Sequence, residues 1–230
     1  MNILAIETTG PACGAALVCH DRIIAEFSIN NRMTHSQVLM PLVAEMLRAA
    51  DFDKALVDLI ACSVGPGSFT GLRIGAAAAK GLAFGLDKKI VPVATLDALA
   101  YNEHNAKVVV PIMDARRGQV YTALYVDGAR VTDYLACDID DVLEAAAPYG
   151  KAVFLGDGVA VHRDKIIERG FEVAAFQNMF QKASSVGALA MKMAEAAVAP
   201  RDFAPFYVRQ SQAEREAANR GGTLPPDVRD

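Results

Sequence analysis

The sequence predicts an α/β protein of two similar lobes, because one succession of elements, βββαβαβα, occurs twice along the chain. Three observations carry that expectation. Short apolar runs of strand length are bounded by Gly, Pro and Asp. Longer stretches with apolar residues three and four positions apart follow them. At 230 residues with 53% hydrophobic content, the chain holds enough apolar material for two modest cores.

Taken in order, "ILAIETT", "CGAALVCH" and "RIIAEFSI" read as three strands, with turns near Gly10-Pro11 and His20-Asp21. "THSQVLMPLVAEMLRAA" reads as a helix, with Thr34 and Gln37 spaced for a capping box. Pro41 removes the bond to the Gln37 carbonyl and is expected to kink it. "LVDLIACSVG" is a strand, and Ser68 or Thr70 caps a helix that runs to about Leu86. "KIVPVA" is a strand and "TLDALAYNEH" a helix. The second unit spans Lys107 to Ala199. Its strands are "KVVVPIMDA", "GQVYTALYVD", "RVTDYLACD", "AVFLGDG" and "FEVAAF". Its helices are "DIDDVLEAAAPYG", "AVHRDKIIERG" and "ASSVGALAMKMAEAAVA". No residue-level repeat accompanies the duplication, so it is one of architecture. Two such units side by side make the actin-like ATPase fold, which places nucleotide between the lobes. The expected boundaries are 1–104 for lobe one and 105–208 for lobe two, with the last helix free to pack back on lobe one. The polar stretch 209–230 reads as a flexible tail.

Composition excludes several classes. The net charge is −4, and no basic run exceeds two residues, which argues against a stand-alone nucleic-acid binder. No apolar run approaches the ~18 residues of a membrane span, and no targeting segment is expected at the N-terminus. Cys13, Cys19, Cys62 and Cys137 form no CxxC pair and read as buried free thiols of a reducing, cytoplasmic setting.

The stretch "SVGPGSFTGLRIGAAAAKGLAFG", Ser63 to Gly85, poses the functional question. It lacks the P-loop, because five residues separate Gly65 from Gly71 and Leu72 stands where Lys belongs. It also lacks the dinucleotide fingerprint, since its glycines give G-x-G-x-x-x-G. In the helix, Gly71, Gly75, Ala78, Ala79, Leu82 and Gly85 recur at three- and four-residue spacing. Each helical Gly costs about 1 kcal/mol relative to Ala. Small residues in that pattern admit another backbone, either within the lobe or from another chain, and periodicity alone leaves both open. In the helix before it, Val38, Leu42, Val43 and Met46 form an apolar stripe that Leu39, Met40 and Leu47 widen, the mark of an interface.

"ILAIETT", "THSQVLMPLVAEML", "GPGSFTGLRIGAAAAKGLA", "DARRGQVYTALY" and the later "APFYVRQ" together resemble the TsaB (YeaZ) family over about residues 1–210. The resemblance implies an actin-like fold and a non-catalytic paralogue of TsaD. It implies a subunit that binds and activates TsaD, with TsaE, in forming N6-threonylcarbamoyladenosine at position 37 of tRNAs reading codons that begin with adenine. It further implies that ATP is used by the complex, that no cofactor is required by this chain alone, and that tRNA is met only through the complex. The isolated chain is expected to form a homodimer and to associate with no membrane. Partner binding is expected on His35, Val38, Leu39, Leu42, Val43, Met46, Gly71, Ile74, Gly75, Ala78 and Leu82.

TsaD-like proteins carry a H-x-E-x-H type segment whose two His bind a metal. The matching segment here is "TLDAL", with Thr95 and Leu99 at the two His positions and Asp97 near the acid. Neither Thr nor Leu supplies an imidazole nitrogen, so no metal site is expected. Kinases of this fold use D-x-G turns, where this chain has Glu7-Thr8-Thr9 and Asp114-Ala115-Arg116. Thr8 and Thr9, with Gly156 and Asp157 of the "GDG" turn, are the nucleotide candidates, and no catalytic residue is assigned. Two alternatives compete: an ATP-dependent phosphotransferase of the sugar-kinase type, opposed by the missing glycines and the absence of an Asp pair, and a metalloprotease, opposed by Thr95 and Leu99.

Overall fold

The computed structural model describes residues 1–31 and 33–208. The expected tail at 209–230 lies outside the described residues. Lobe one contains β1 (Asn2–Glu7), β2 (Cys13–Cys19), β3 (Arg22–Ile29), α1 (His35–Ala49), β4 (Leu59–Gly65), α2 (Phe69–Leu86), β5 (Lys89–Ala94) and α3 (Thr95–Ala100). Its sheet runs in the order β3-β2-β1-β4-β5, with β1 antiparallel to β2 and parallel to β4. The remaining elements are β6 (Val108–Asp114), β7 (Gln119–Thr122), β8 (Tyr125–Val126), β9 (Ala129–Arg130), β10 (Leu135–Asp138), α4 (Ile139–Ala146), β11 (Val153–Leu155), α5 (Val159–Glu168), β12 (Glu172–Val173) and α6 (Ala183–Lys192). The second sheet's main path is β10-β7-β6-β11-β12. Matched strand for strand, this is the order of lobe one. The duplicated architecture is the actin-like fold.

Each strand splits its side chains between two helical layers. On β1, Leu4 and Ile6 join a core with α1 and α2. Ile3 and Ala5 face the other way, against Ala183, Val186 and Ala190 of α6. The last helix thus covers lobe one's sheet, although it follows lobe two's strands in sequence. Leu96, Leu99 and Ala100 of α3 make the reverse exchange, packing against Val109, Met113 and Leu155 of the second sheet. A fourth core joins α4 and α5 to the other face of that sheet.

Local departures from the sequence reading have physical causes. "GQVYTALYVD" is two strands, since Pro111 of β6 carries no N–H for the ladder opposite Ala123. The Leu124 N–H turns instead to the Thr132 hydroxyl, 2.9 Å away. Thr34 makes no side-chain cap, and the Gln37 N–H bonds the Thr34 carbonyl at 3.0 Å. Ser68 is the residue that caps α2, accepting from the Gly71 N–H at 3.3 Å. Cys13, Cys19 and Cys62 are buried, while Cys137 is only half-buried, and all four are free thiols.

Candidate functional site

The site begins where α2 meets the end of β1. The Ser68 N–H bonds the Thr9 carbonyl at 2.8 Å, and the Thr8 hydroxyl donates to the Gly71 carbonyl at 2.8 Å. A methyl at Gly67 would lie 2.6 Å from the Thr9 carbonyl oxygen. One at Gly71 would strike the Thr8 carbonyl, and one at Gly75 the Thr8 hydroxyl, with the Cys62 sulfur 3.4 Å away. These three glycines admit the chain's own β1 end. Gly71 and Gly75 are thereby corrected as partner-facing residues: their missing side chains are filled from within the lobe.

Glu7 ends β1 in full burial and accepts from the Thr9 N–H at 2.6 Å, the Thr9 hydroxyl at 2.5 Å and the Ser63 hydroxyl. Burial pushes its carboxyl up, and the Ser63 and Thr9 bonds oppose that push. In lobe one, the turn that holds phosphate in kinases of this fold is therefore stitched shut by side chains and by the Gly67–Ser68 loop.

Between the lobes lies a cleft of about 410 Å³. Thr9, Ser68, Phe69 and Thr70 form its lobe-one wall, and Asp114, Arg116 and Asp157 face them. Arg116 adopts φ 66° and Arg117 φ 59°, a left-handed pair that tightens the β6–β7 turn. That turn lets the Arg116 N–H bond the Asp114 carboxylate at 2.7 Å, with the guanidinium 3.5 Å from its other oxygen. Asp157 has a buried Oδ1 without a hydrogen-bond partner. Burial raises its carboxyl to about 6, with Asp114 adding to the rise and backbone bonds and Arg116 opposing it.

Of the four nucleotide candidates, Thr9 and Asp157 reach this cleft. Thr8 lies behind it, under α2, and Gly156 is a packing residue with φ 108° whose α-carbon abuts the Ile112 carbonyl. The absence of an Asp pair is also corrected. Asp114 and Asp157 share the cleft, though 43 positions separate them in sequence. Two carboxylates, one guanidinium and several hydroxyls meet there.

The second feature is the outer face of α1 and α2. Val38, Leu39, Leu42, Val43 and Met46 are buried in lobe one's core, Met46 completely. They are corrected as interface residues, because the stripe faces β1, β2 and β4. His35 is half-buried, its Nε2 2.9 Å from the Gly10 carbonyl, and Ile74, Ala78 and Leu82 pack partly against the core. The outward face is built from Met40, Pro41 and Ala44 of α1 with Ala77, Gly81, Phe84 and Gly85 of α2. Phe84 is 85% exposed, and no atom lies within 4 Å of a methyl built on Gly81 or Gly85. The signal for this second small row, Ala77-Gly81-Gly85, was a four-residue spacing offset by half a turn from Gly71-Gly75.

Residues 22–217 match the family described as TsaD, tRNA N6-adenosine threonylcarbamoyltransferase. Over 224 residues, 93% of this chain and 96% of the relative, the chain is 35% identical to the tRNA threonylcarbamoyladenosine biosynthesis protein TsaB of Bacillus subtilis. The chain belongs to the TsaB family. The Escherichia coli TsaB is 38% identical over 128 residues, about half of each protein (54% and 55%). The structure of YeaZ from Pseudomonas aeruginosa superposes with a TM-score of 0.74 at 27% identity, covering 90% of this chain and 99% of that one. Component A of the Acidaminococcus fermentans (R)-2-hydroxyglutaryl-CoA dehydratase superposes at 0.51 with 12% identity, covering 85% and 99%, a likeness of fold alone.

In this TsaB-family chain Thr95, Asp97 and Leu99 are all engaged within the fold. Thr95 is fully buried and its hydroxyl accepts from the Gly65 N–H at 3.2 Å. Leu99 is fully buried between the lobes. Asp97 accepts from the Tyr125 hydroxyl at 2.5 Å and the Tyr134 hydroxyl at 2.9 Å. Among the described residues, no three His, Cys, Asp or Glu side chains converge into a group able to hold a metal ion. No helix of the described residues is long and apolar enough to cross a membrane.

Proposed function

We infer that this chain acts in tRNA threonylcarbamoyladenosine biosynthesis as a non-catalytic subunit that binds and activates a TsaD-family transferase, with TsaE joining the complex. Its full-length likeness to TsaB supports the pathway. The observation that carries the non-catalytic part is the use made of Thr95, Asp97 and Leu99. One hydroxyl holds a backbone amide, the carboxylate holds two phenols, and the leucine is core. The stitched turn at Glu7–Thr9 supports the same reading, since a phosphate there would displace the Ser68 N–H from the Thr9 carbonyl.

The docking surface of this reading is the outer face of α1 and α2, and its occupant is the TsaD-family partner. Small residues at 77, 81 and 85 let a partner helix approach closely, and Phe84 supplies an anchor of the kind that dominates interfaces. In isolation the same face pairs with a second copy, because an apolar patch on a two-fold axis is self-complementary. Reconstitution tests the reading. The purified chain is expected to co-elute with a TsaD-family protein and to raise tRNA modification by that protein and TsaE. By itself it is expected neither to modify tRNA nor to hydrolyse ATP appreciably. Modification by this chain alone, or full activity of the partner without it, refutes the proposal.

A further inference from the structure

Asp97 belongs to a closed ring of contacts that crosses from one lobe to the other. At the start of α3, the Thr95 hydroxyl is bonded to the Gly65 N–H at the end of β4 in lobe one. One turn further on, the Asp97 carboxylate accepts from Tyr125 and Tyr134 of lobe two. The Arg130 guanidinium lies 4.2 Å over the Tyr134 ring and 3.9 Å from the Asp97 carboxylate. The Tyr134 ring also meets Phe206, with centroids 5.9 Å apart and planes tilted by 58°. Phe206 then closes the ring: its N–H bonds the Val64 carbonyl at 2.7 Å, and its own carbonyl abuts the Gly65 α-carbon.

The flanking residues of that C-terminal segment are also fixed to lobe one. Phe203 is buried in its core, and the Tyr207 ring stacks on Phe69 at 4.6 Å and 8°. A second set of bonds spans the chain nearby. The Asn102 amide donates to the Asn178 and Phe180 carbonyls at 3.0 and 2.8 Å and accepts from the Ser185 hydroxyl at 2.7 Å. Burial, with the Asp97 charge adding, pushes both phenols up, so they remain donors across the physiological range.

We propose that this ring is an interlobe lock, with Asp97 as its positioning residue and residues 203–208 as its strap. The lobes of this chain therefore keep one angle, and the cleft between them does not open and close. A hinge that must bend needs at least one free connection. Here α3 is tied to the Tyr125–Tyr134 hairpin through the Asp97 carboxylate, the hairpin to the strap through the Tyr134 and Phe206 rings, and the strap to the end of β4 through the Phe206 N–H, so the lobes do not part without breaking these contacts.

Nitroxide labels at Thr70 and Arg117, on opposite lips of the cleft, test the lock in the full chain with Cys137→Ser as background; the other three thiols are buried. Pulsed electron paramagnetic resonance is expected to give one narrow distance distribution for the parent. Asp97→Ala and Phe206→Ala should each broaden it. Tyr134→Phe, which keeps the ring and removes only the hydroxyl, should broaden it less. Amide exchange in the Tyr125–Arg130 hairpin should quicken about ten- to a hundredfold in Asp97→Ala, as expected for hydrogen bonds to a charged group. If Asp97→Ala does not fold, the near-isosteric Tyr134→Phe decides. A broad distribution in the parent overturns the proposal, as does faster exchange with unchanged distances in the variants.

Discussion

Two glycines of one helix, six residues apart, should respond oppositely to the same added methyl. Gly75 and Gly81 both lie within α2, so alanine at either relieves about 1 kcal/mol of helix propensity. At Gly81 nothing within the chain opposes the gain, because none of its atoms lies within 4 Å of the new carbon. Gly81→Ala should therefore raise the melting temperature by about 2–4 °C, the shift that 1 kcal/mol produces in a chain of this size. At Gly75 the methyl meets the Thr8 hydroxyl, which cannot retreat without losing its bond to the Gly71 carbonyl. Overpacking costs about 1–3 kcal/mol, and a buried hydroxyl left unpaired costs about 1–3 more. Set against the propensity gain, Gly75→Ala should be destabilised by about 1–5 kcal/mol. Urea titration with calorimetry measures both, at two protein concentrations, because self-association through the Gly81 face would make the midpoint concentration-dependent. Equal effects of the two substitutions would refute the assignment of inner and outer faces on α2.

Met46→Glu should cost about 3–5 kcal/mol or prevent folding, because it places an unpaired charge in a fully buried position. Phe84→Glu should leave the circular dichroism spectrum and the melting temperature of the dilute monomer unchanged and abolish co-elution with the TsaD-family partner, as expected for a residue 85% exposed. The Asp157 carboxyl is raised to about 6 in the fold, so its contribution to stability is fullest below about pH 4 and is lost as pH climbs through about 6. Asp157→Asn should remove that loss, making the variant more resistant to urea than the parent at about pH 7–8, and an unchanged pH profile would contradict the buried, unpaired oxygen. Elemental analysis of protein purified without chelator should find well below one equivalent of zinc or iron, and one tightly held metal per chain would sink the reading of Thr95, Asp97 and Leu99.

The strands and helices were legible because their signals are local. Short apolar runs bounded by turn residues on β1 and β2 and the three-to-four spacing on α1 and α2 follow from backbone geometry within a few residues. The duplicated order then restricted the chain to one architecture, and the absence of Gly after Asp114 already spoke against kinase chemistry. What stayed hidden depends on which surfaces meet. Helix α1 is apolar around more than one face, so its periodicity identifies a stripe without saying whether sheet or partner covers it. Only the packed lobe assigns Val38, Leu42 and Met46 inward and leaves Met40 and Ala44 outside.

The same division separates the chemistry. The sequence by itself determined that Thr95 and Leu99 supply no imidazole nitrogen for a two-His metal site, because that is a property of the side chains themselves. It could not tell that Gly71 and Gly75 make room for Thr8, that Asp157 meets Asp114, or that Asp97 holds Tyr125 and Tyr134. Those partners lie 28 to 67 positions away in the chain. No pattern within a helix or a strand encodes them. They exist only once two sheets, each too small to bury both its faces alone, exchange α3 and α6 and close against one another.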